Sequence, residues 1–163
     1  MGPKDVLRRS INGSDMVLTT YLSDLSDEDL LVRPLPGLNH IAWQMGHIIG
    51  GTARFMDMIE PGSAPPLPEG FAQAHGKEAA GSDDPSKFLA KGEYLRLWTA
   101  YKEAVLALLD RIPESRLDEE DPNKYPPFAP NVGALFGMAA AHPLMHAGQF
   151  VAVRRKLGKP VLI

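Results

Sequence analysis

Apolar residues recur at helical spacing through most of this sequence, and that periodicity constrains the fold more than any other feature. No run of β-branched residues stands between turn residues, as a strand would require. The sequence therefore predicts an all-α protein. The predicted helices cover four stretches: residues 4–25, 38–59, 84–112 and 131–156.

Residues typical of helix ends bound these stretches. Asn39 is the predicted N-cap of the second helix, because its side chain can accept a backbone N–H of the first turn. Asp84 followed by Pro85 gives the same signal at the start of the third helix. Gly158 and Pro160 follow the basic last turn of the fourth helix, where such residues end a helix.

Two long connections separate the helices, residues 61–83 and 113–130. Loops longer than about 12–15 residues are uncommon in a compact domain unless they are functional or cross between non-adjacent elements. We therefore expect a single domain over residues 1–163, folded as a four-helix bundle with long crossover connections. A connection of this kind can also cover one end of a pocket.

Composition excludes several classes of function. The net charge of −3 provides no basic surface for nucleic acid. No segment approaches the roughly 18 consecutive apolar residues of a membrane span, so we expect a cytoplasmic protein with no membrane partner. The chain has no cysteine, which rules out disulfides, thiolate metal sites and a protein thiol nucleophile. Any metal must be bound by nitrogen or oxygen.

Three histidines are candidate metal ligands. His142 and His146 are four residues apart in the fourth predicted helix, so their side chains project from one face. His47, from the second helix, would complete a site with three protein ligands and open coordination positions, which distinguish a reactive metal from a structural one. Nitrogen ligands suit zinc, nickel, iron, cobalt or copper better than magnesium or calcium.

The alternative is that these histidines are structural residues satisfied by hydrogen bonds. The stretch before His142 is almost entirely apolar and offers few partners for a buried imidazole, whose nitrogens need them. One metal ion would satisfy two such rings at once, which favours the metal interpretation. The remaining alternative is a metal-free bundle that serves in interactions.

Two motifs resemble the DinB-like superfamily of metal-binding four-helix bundles. They are residues 39–48, Asn-His-Ile-Ala-Trp-Gln-Met-Gly-His-Ile, and residues 142–150, His-Pro-Leu-Met-His-Ala-Gly-Gln-Phe, with the segment 154–160 after the second. The family's three metal-binding histidines map onto His47, His142 and His146. Many members carry a further histidine at the position of Met138, so a fourth nitrogen ligand is not expected here.

The resemblance implies a divalent metal, often nickel or zinc, in a cleft between helices, and a homodimer. Characterised relatives include transferases and isomerases that use low-molecular-weight thiols, so a small-molecule substrate is implied as well. Because this chain has no cysteine, a thiolate nucleophile would come from such a cosubstrate, bound at an open position of the metal. We expect a metal-dependent thiol S-transferase or hydrolase, or alternatively a non-catalytic bundle that binds a metal or small molecule.

Three other residues are candidates for the site or its surroundings, namely His40, Arg54 and Gln149. His40 could line the pocket or act as a base, although a structural or exposed role is favoured. Arg54 could contact an anionic substrate group, with a surface salt bridge as the alternative. Gln149 could orient a ligand ring or form a hydrogen bond across a helix interface. His75, in the first long connection, is expected to be solvated.

Three glycines interrupt the second predicted helix: Gly46, Gly50 and Gly51. Each costs roughly 1 kcal/mol relative to alanine in a helix interior, so a packing reason is expected. They indicate either the close approach of a neighbouring backbone or space for a ligand.

Overall fold

The computed structural model describes residues 1–163 and contains five α-helices and no β-strand. Four of the helices are long and form a bundle, which confirms the predicted all-α fold; the other is a single turn in the first long connection. None of them combines the length and hydrophobicity needed to cross a lipid bilayer. The helices are α1 (Pro3–Leu22), α2 (Ile41–Ile59), α3 (Phe71–Ala74), α4 (Lys91–Arg111) and α5 (Val132–Lys156).

The third long helix starts later in the structure than the sequence predicted. Asp84 does cap a helical turn, since its carboxylate accepts the N–H of Ser86 at 3.0 Å, but that turn is a short 3₁₀ segment. The long helix α4 begins only at Lys91. The fourth long helix starts where it was predicted to, and Asn131 is its N-cap, because its Oδ1 accepts the N–H of Ala134 at 2.8 Å.

Side-chain contacts show the directions of the helices. Arg8 near the start of α1 pairs with Asp110 near the end of α4, so these two helices are antiparallel. Glu60 at the end of α2 pairs with Arg111 at the end of α4 at 2.6 Å, so α2 and α4 are parallel. α5 packs along both α1 and α2, and α4 packs along the other side of the same two helices.

The connection from α2 to α4 therefore runs back along the length of the bundle. It contains α3 and two 3₁₀ turns, Lys77–Ala79 and Pro85–Lys87. Its middle part reaches the first half of α2, where His75 lies against Gly46. The other two connections join helices that lie diagonally across the bundle. The predicted crossover topology is confirmed, and the first crossover also covers one side of a pocket.

A continuous apolar core fills the space between the four long helices, and one arginine is buried beside it. Arg154 donates hydrogen bonds to the carbonyl oxygens of Tyr21 and Pro160, both at 2.8 Å. Its guanidinium also pairs with Asp24 at 2.6 Å. Arg154 thus joins the end of α1 to the end of α5 and to the tail that follows it.

We expect the Arg154→Met variant to lose about 2–4 kcal/mol of unfolding free energy, because buried carbonyl groups lose their donor. Urea denaturation followed by circular dichroism measures this loss. The matched control is Arg155→Met, since Arg155 is exposed in the same helical turn and should change stability by less than about 0.5 kcal/mol. Equal stability of the two variants would contradict the linking role of Arg154.

Candidate metal centre

The start of α2 is fixed by a histidine rather than by the predicted asparagine. His40 is the N-cap: its Nδ1 accepts the N–H of Trp43 at 3.1 Å, and its Nε2 donates to the carbonyl of Ser82 at 3.1 Å. Both ring nitrogens are thus engaged, and the side chain is fully buried. His40 therefore has a structural role here, and the acid–base role suggested for it is not supported.

The rings of His47, His142 and His146 converge between α2 and α5. Their centroids are separated by 5.1 Å for His47 and His142, 5.2 Å for His47 and His146, and 4.8 Å for the pair on α5. One nitrogen from each ring lies within 4.8 Å of the other two. The structure therefore brings together all three histidines that the sequence singled out.

The two rings on α5 present the same nitrogen to each other. The Nε2 atoms of His142 and His146 are 3.1 Å apart. Two nitrogens bound to one transition-metal ion at about 2.0–2.1 Å lie roughly 3 Å from each other at ordinary coordination angles. This separation therefore fits a shared ion.

Gln44 determines which nitrogen of His146 carries the proton. The side-chain amide of Gln44 donates to the carbonyl of Asn39 at 2.9 Å, so its Oε1 must face the ring. That oxygen lies 2.9 Å from His146 Nδ1, which is therefore the protonated nitrogen. The lone pair of a neutral His146 then lies on Nε2, the atom that faces His142. A hydrogen-bonded partner of this kind also holds the ring in place.

Two neighbours on α2 position the other rings. The indole of Trp43 stacks on His47 with the ring centroids 4.9 Å apart. Gly51 leaves room for His142, because a Cβ at that position would lie 3.1 Å from the Cε1 atom of the ring. The Nδ1 atom of His142 is buried and has no hydrogen-bond partner. A buried nitrogen in this state costs about 1–3 kcal/mol, so the protein's own groups do not fully satisfy this ring.

Burial keeps the two rings on α5 uncharged. It lowers the pKa of His142 to about 4, and the neighbouring His47 adds to the effect. Burial likewise lowers the pKa of His146 to about 4, with further contributions from His142 and His47. The half-buried His47 has its pKa lowered by burial first and then by Lys77 and Arg54. All three rings are thus neutral donors near pH 7, the form that binds a metal.

These observations fit a divalent transition metal. Three neutral imidazoles converge, and the two rings on α5 lie at the separation that a shared ion requires. No carboxylate or thiolate belongs to the cluster. Such a donor set suits nickel, zinc, iron, cobalt or copper.

Two pockets with different linings meet at His47. The first, of about 440 Å³, lies between α2 and the crossover and includes Arg54 and Lys77; we call it the basic pocket. The second, of about 380 Å³, lies toward α5 and the α4–α5 connection; we call it the apolar pocket. The side chains that give the apolar pocket its character are Phe55, Met58, Phe128 and Met138.

The family model described as the DinB superfamily matches residues 12–150. The chain belongs to the DinB superfamily. The matched region contains the whole histidine cluster, together with Gln44 and Gly51. No curated protein matches the chain.

Two solved structures share the DinB fold of this chain. A conserved protein from Enterococcus faecalis has a TM-score of 0.73 and 17% sequence identity, covering 98% of this chain and 99% of its own. YfiT from Bacillus subtilis, described as a probable metal-dependent hydrolase with an unusual four-helix bundle topology, has a TM-score of 0.64 and 17% identity. That match covers 96% of this chain and 89% of YfiT. At such identities the likeness shows the fold.

The remaining candidate residues of this DinB protein lie in different surroundings. Arg54 is exposed at the mouths of both pockets and makes no salt bridge, so the surface-pair interpretation is not supported. Gln149 is exposed on α5 and makes no hydrogen bond to the histidines. Gln44, which the sequence analysis missed, supplies the ring-orienting contact expected of Gln149. Met138 lines the apolar pocket.

The prediction that His75 is solvated was wrong. Its ring is buried, donates from Nδ1 to the carbonyl of Phe71 at 2.8 Å, and accepts at Nε2 from the hydroxyl of Tyr94 at 2.7 Å. Gly46 makes this possible, because a Cβ there would lie 1.9 Å from the His75 ring. His75 therefore anchors the crossover to α2 and α4 beside the metal centre.

We expect the metal-free protein to lose stability as the pH falls from 6.5 to 4. In this window unfolded histidine binds a proton, whereas His142 and His146, whose pKa is about 4, do not bind one in the folded state. The loss is small above pH 6.5 and amounts to about 3 kcal/mol for each of the two rings by pH 4, about 6 kcal/mol for the pair. Urea denaturation in the presence of a chelator at several pH values measures it.

The comparison variant for this measurement is His142→Asn, which removes one of the two buried rings. Its loss of stability over the same window should be clearly smaller than that of the wild type. An identical pH dependence in the two proteins would show that the buried rings do not determine the acid sensitivity.

Proposed function

We propose that this protein binds a divalent transition metal through His47, His142 and His146. The observation that carries the proposal is the convergence of three neutral nitrogen donors within 4.8 Å. Membership of the DinB superfamily supports it, and so does the description of YfiT as a probable metal-dependent hydrolase. Among the metals that suit nitrogen ligands, we propose nickel or zinc, in line with the family resemblance.

We further propose that the metal activates a small-molecule nucleophile for group transfer, with a low-molecular-weight thiol as the cosubstrate. A bound divalent cation lowers the pKa of a thiol or water molecule that it ligates. The chain itself has no cysteine, so the sulfur must come from a small molecule. The thiol sulfur forms a bond to the acceptor carbon, the leaving group departs with the bonding electron pair, and the S–H proton passes to solvent.

The residues around the histidines support two binding positions for such a reaction. The basic pocket and the apolar pocket both include His47 and Gly51, so groups bound in either pocket meet at the same ring. The apolar pocket suits the apolar part of an acceptor, because Phe128 and Met138 offer it contact surface. Gln44 and Trp43 keep the rings of His146 and His47 oriented while substrates exchange.

Hydrolysis is the second candidate function. Water can serve as the nucleophile at the same centre, since both pockets adjoin the half-buried His47. A non-catalytic role, in which the metal stabilises the bundle or a small molecule is only bound, predicts that chelation lowers the melting temperature while no substrate is turned over.

The function is tested with protein purified without an affinity tag. We expect elemental analysis to find about one nickel or zinc ion per wild-type chain and much less in His47→Ala. The metal-loaded wild type should then turn over members of a panel of thiols and electrophilic acceptors, and His146→Ala should be at least about 100-fold slower. Metal content that His47→Ala leaves unchanged would contradict the metal site, and equal rates in wild type and His146→Ala would contradict the transferase role.

The contribution of Gln44 is measured as metal affinity. We expect Gln44→Leu to weaken binding by about 10–100-fold, because His146 loses the acceptor that fixes its proton on Nδ1. Competition titration with a chromophoric chelator gives the affinity. The matched control is Gln149→Leu, which makes the same change on the exposed face of α5. This variant should bind the metal with the affinity of the wild type. The reverse order of the two variants would restore Gln149 as the orienting residue.

A further inference from the structure

Two unpaired cations line the basic pocket. Arg54 comes from α2, and Lys77 comes from the crossover. Neither side chain makes a salt bridge or a side-chain hydrogen bond, although seven of the other basic residues of the chain, among them Arg8, Arg33 and Lys102, do pair with acids. Their charges are therefore available to a group that enters the pocket.

Arg54 lies on the same side of α2 as His47. The two residues are seven positions apart, which places them two turns apart on one face of the helix. Gly50 and Gly51 lie between them, and a Cβ at Gly50 would meet nothing within 4 Å. The helix surface at Gly50 is therefore open to a ligand, whereas the His142 ring lies against Gly51.

Lys77 approaches from the opposite wall. It begins the 3₁₀ turn that follows His75, the residue anchored against Gly46 and Tyr94. This anchor fixes the position of the crossover, so the backbone of Lys77 is held at the pocket. Two cations from separate elements thus face one cavity.

One carboxylate also lines the basic pocket. Asp57 lies one turn beyond Arg54 on α2, and its Oδ1 accepts the N–H of Gly62 at 3.1 Å. This hydrogen bond lies at the end of α2. The Asp57 carboxylate forms no salt bridge with Arg54 or Lys77. The charge of the lining therefore remains positive.

The candidate metal centre adds to this positive charge. Its three protein ligands are neutral imidazoles, and no carboxylate belongs to the cluster. No protein ligand would therefore neutralise the charge of a divalent ion. The two unpaired cations, Arg54 and Lys77, lie in the adjoining pocket. In a partly enclosed site such charges act together and attract anions.

We infer that the basic pocket binds the oxyanion group of a small-molecule substrate whose other end reaches the histidines. This inference rests on the proposed function and specifies its substrate class: a nucleophile that carries a sulfonate or carboxylate group a few bonds from its reactive atom. Arg54 and Lys77 would each contribute charge-assisted hydrogen bonds to the oxyanion.

The test uses cobalt-loaded protein and two thiols of the same chain length, 3-mercaptopropane-1-sulfonate and 3-mercapto-1-propanol. Because the chain has no cysteine, a sulfur-to-cobalt charge-transfer band reports the added thiol alone. We expect the wild type to bind the sulfonate about tenfold more tightly than the alcohol. Arg54→Gln and Lys77→Gln should each reduce this preference, and the double variant should abolish it. Arg155→Gln, which changes an exposed arginine on α5, should retain it.

Each outcome has a distinct meaning. Absence of cobalt binding would refute the proposed metal site, and the inference would fail with it. If the protein binds cobalt but then binds the two thiols with equal affinity, or binds neither of them detectably, the inference is overturned. The proposed metal site would be unaffected by that result. A preference that survives in the double variant would show that the oxyanion is recognised elsewhere.

Discussion

The burial of uncharged imidazole rings at one point between α2 and α5 is the constraint on which the site depends. The two helices can enclose the ring of His142 because Gly51 has no side chain where that ring lies. Burial then keeps His142 and His146 neutral, and Gln44 fixes the proton on one of them. The lone pairs that a metal requires are therefore produced by the packing of the bundle itself, which is how a preorganised site avoids rearrangement on binding.

The direction of the helices explains why a connecting segment forms part of the site. Since α2 and α4 are parallel neighbours, the chain must return along the bundle between them. On this return path His75 packs against Gly46 and pairs with Tyr94, and the next turn presents Lys77 to the pocket. Hydrogen bonds from Trp43 to the carbonyl of Gly76 and from His40 to the carbonyl of Ser82 hold the same connection, so the basic pocket has a defined second wall.

The sequence predicted the features that depend on local spacing. Helical periodicity located the four long helices, and the four-residue separation of His142 and His146 placed both rings on one face. The sequence pattern did not show that Gln44, rather than Gln149, orients a histidine ring. The contact between Gln44 and His146 joins residues 102 positions apart in different helices. The same limit applies to His75, whose burial depends on a glycine in another element. Long-range contacts of this kind are not encoded in any one segment's pattern.

Two kinds of element, long helices and connections, contribute residues to the site. The three candidate metal ligands and Gln44 lie on α2 and α5, whose positions are determined by the apolar core. Much of the pocket lining comes instead from connections: Lys77 from the crossover and Phe128 from the segment before α5. Connections tolerate substitution better than core helices do. Under the proposed function, the bundle would determine the type of chemistry through its neutral ligand set, and the connections, with charge on one side and apolar surface on the other, would select the molecules that undergo it. In this arrangement, substitutions in the connections would change the lining of both pockets without altering the helices that hold the histidines.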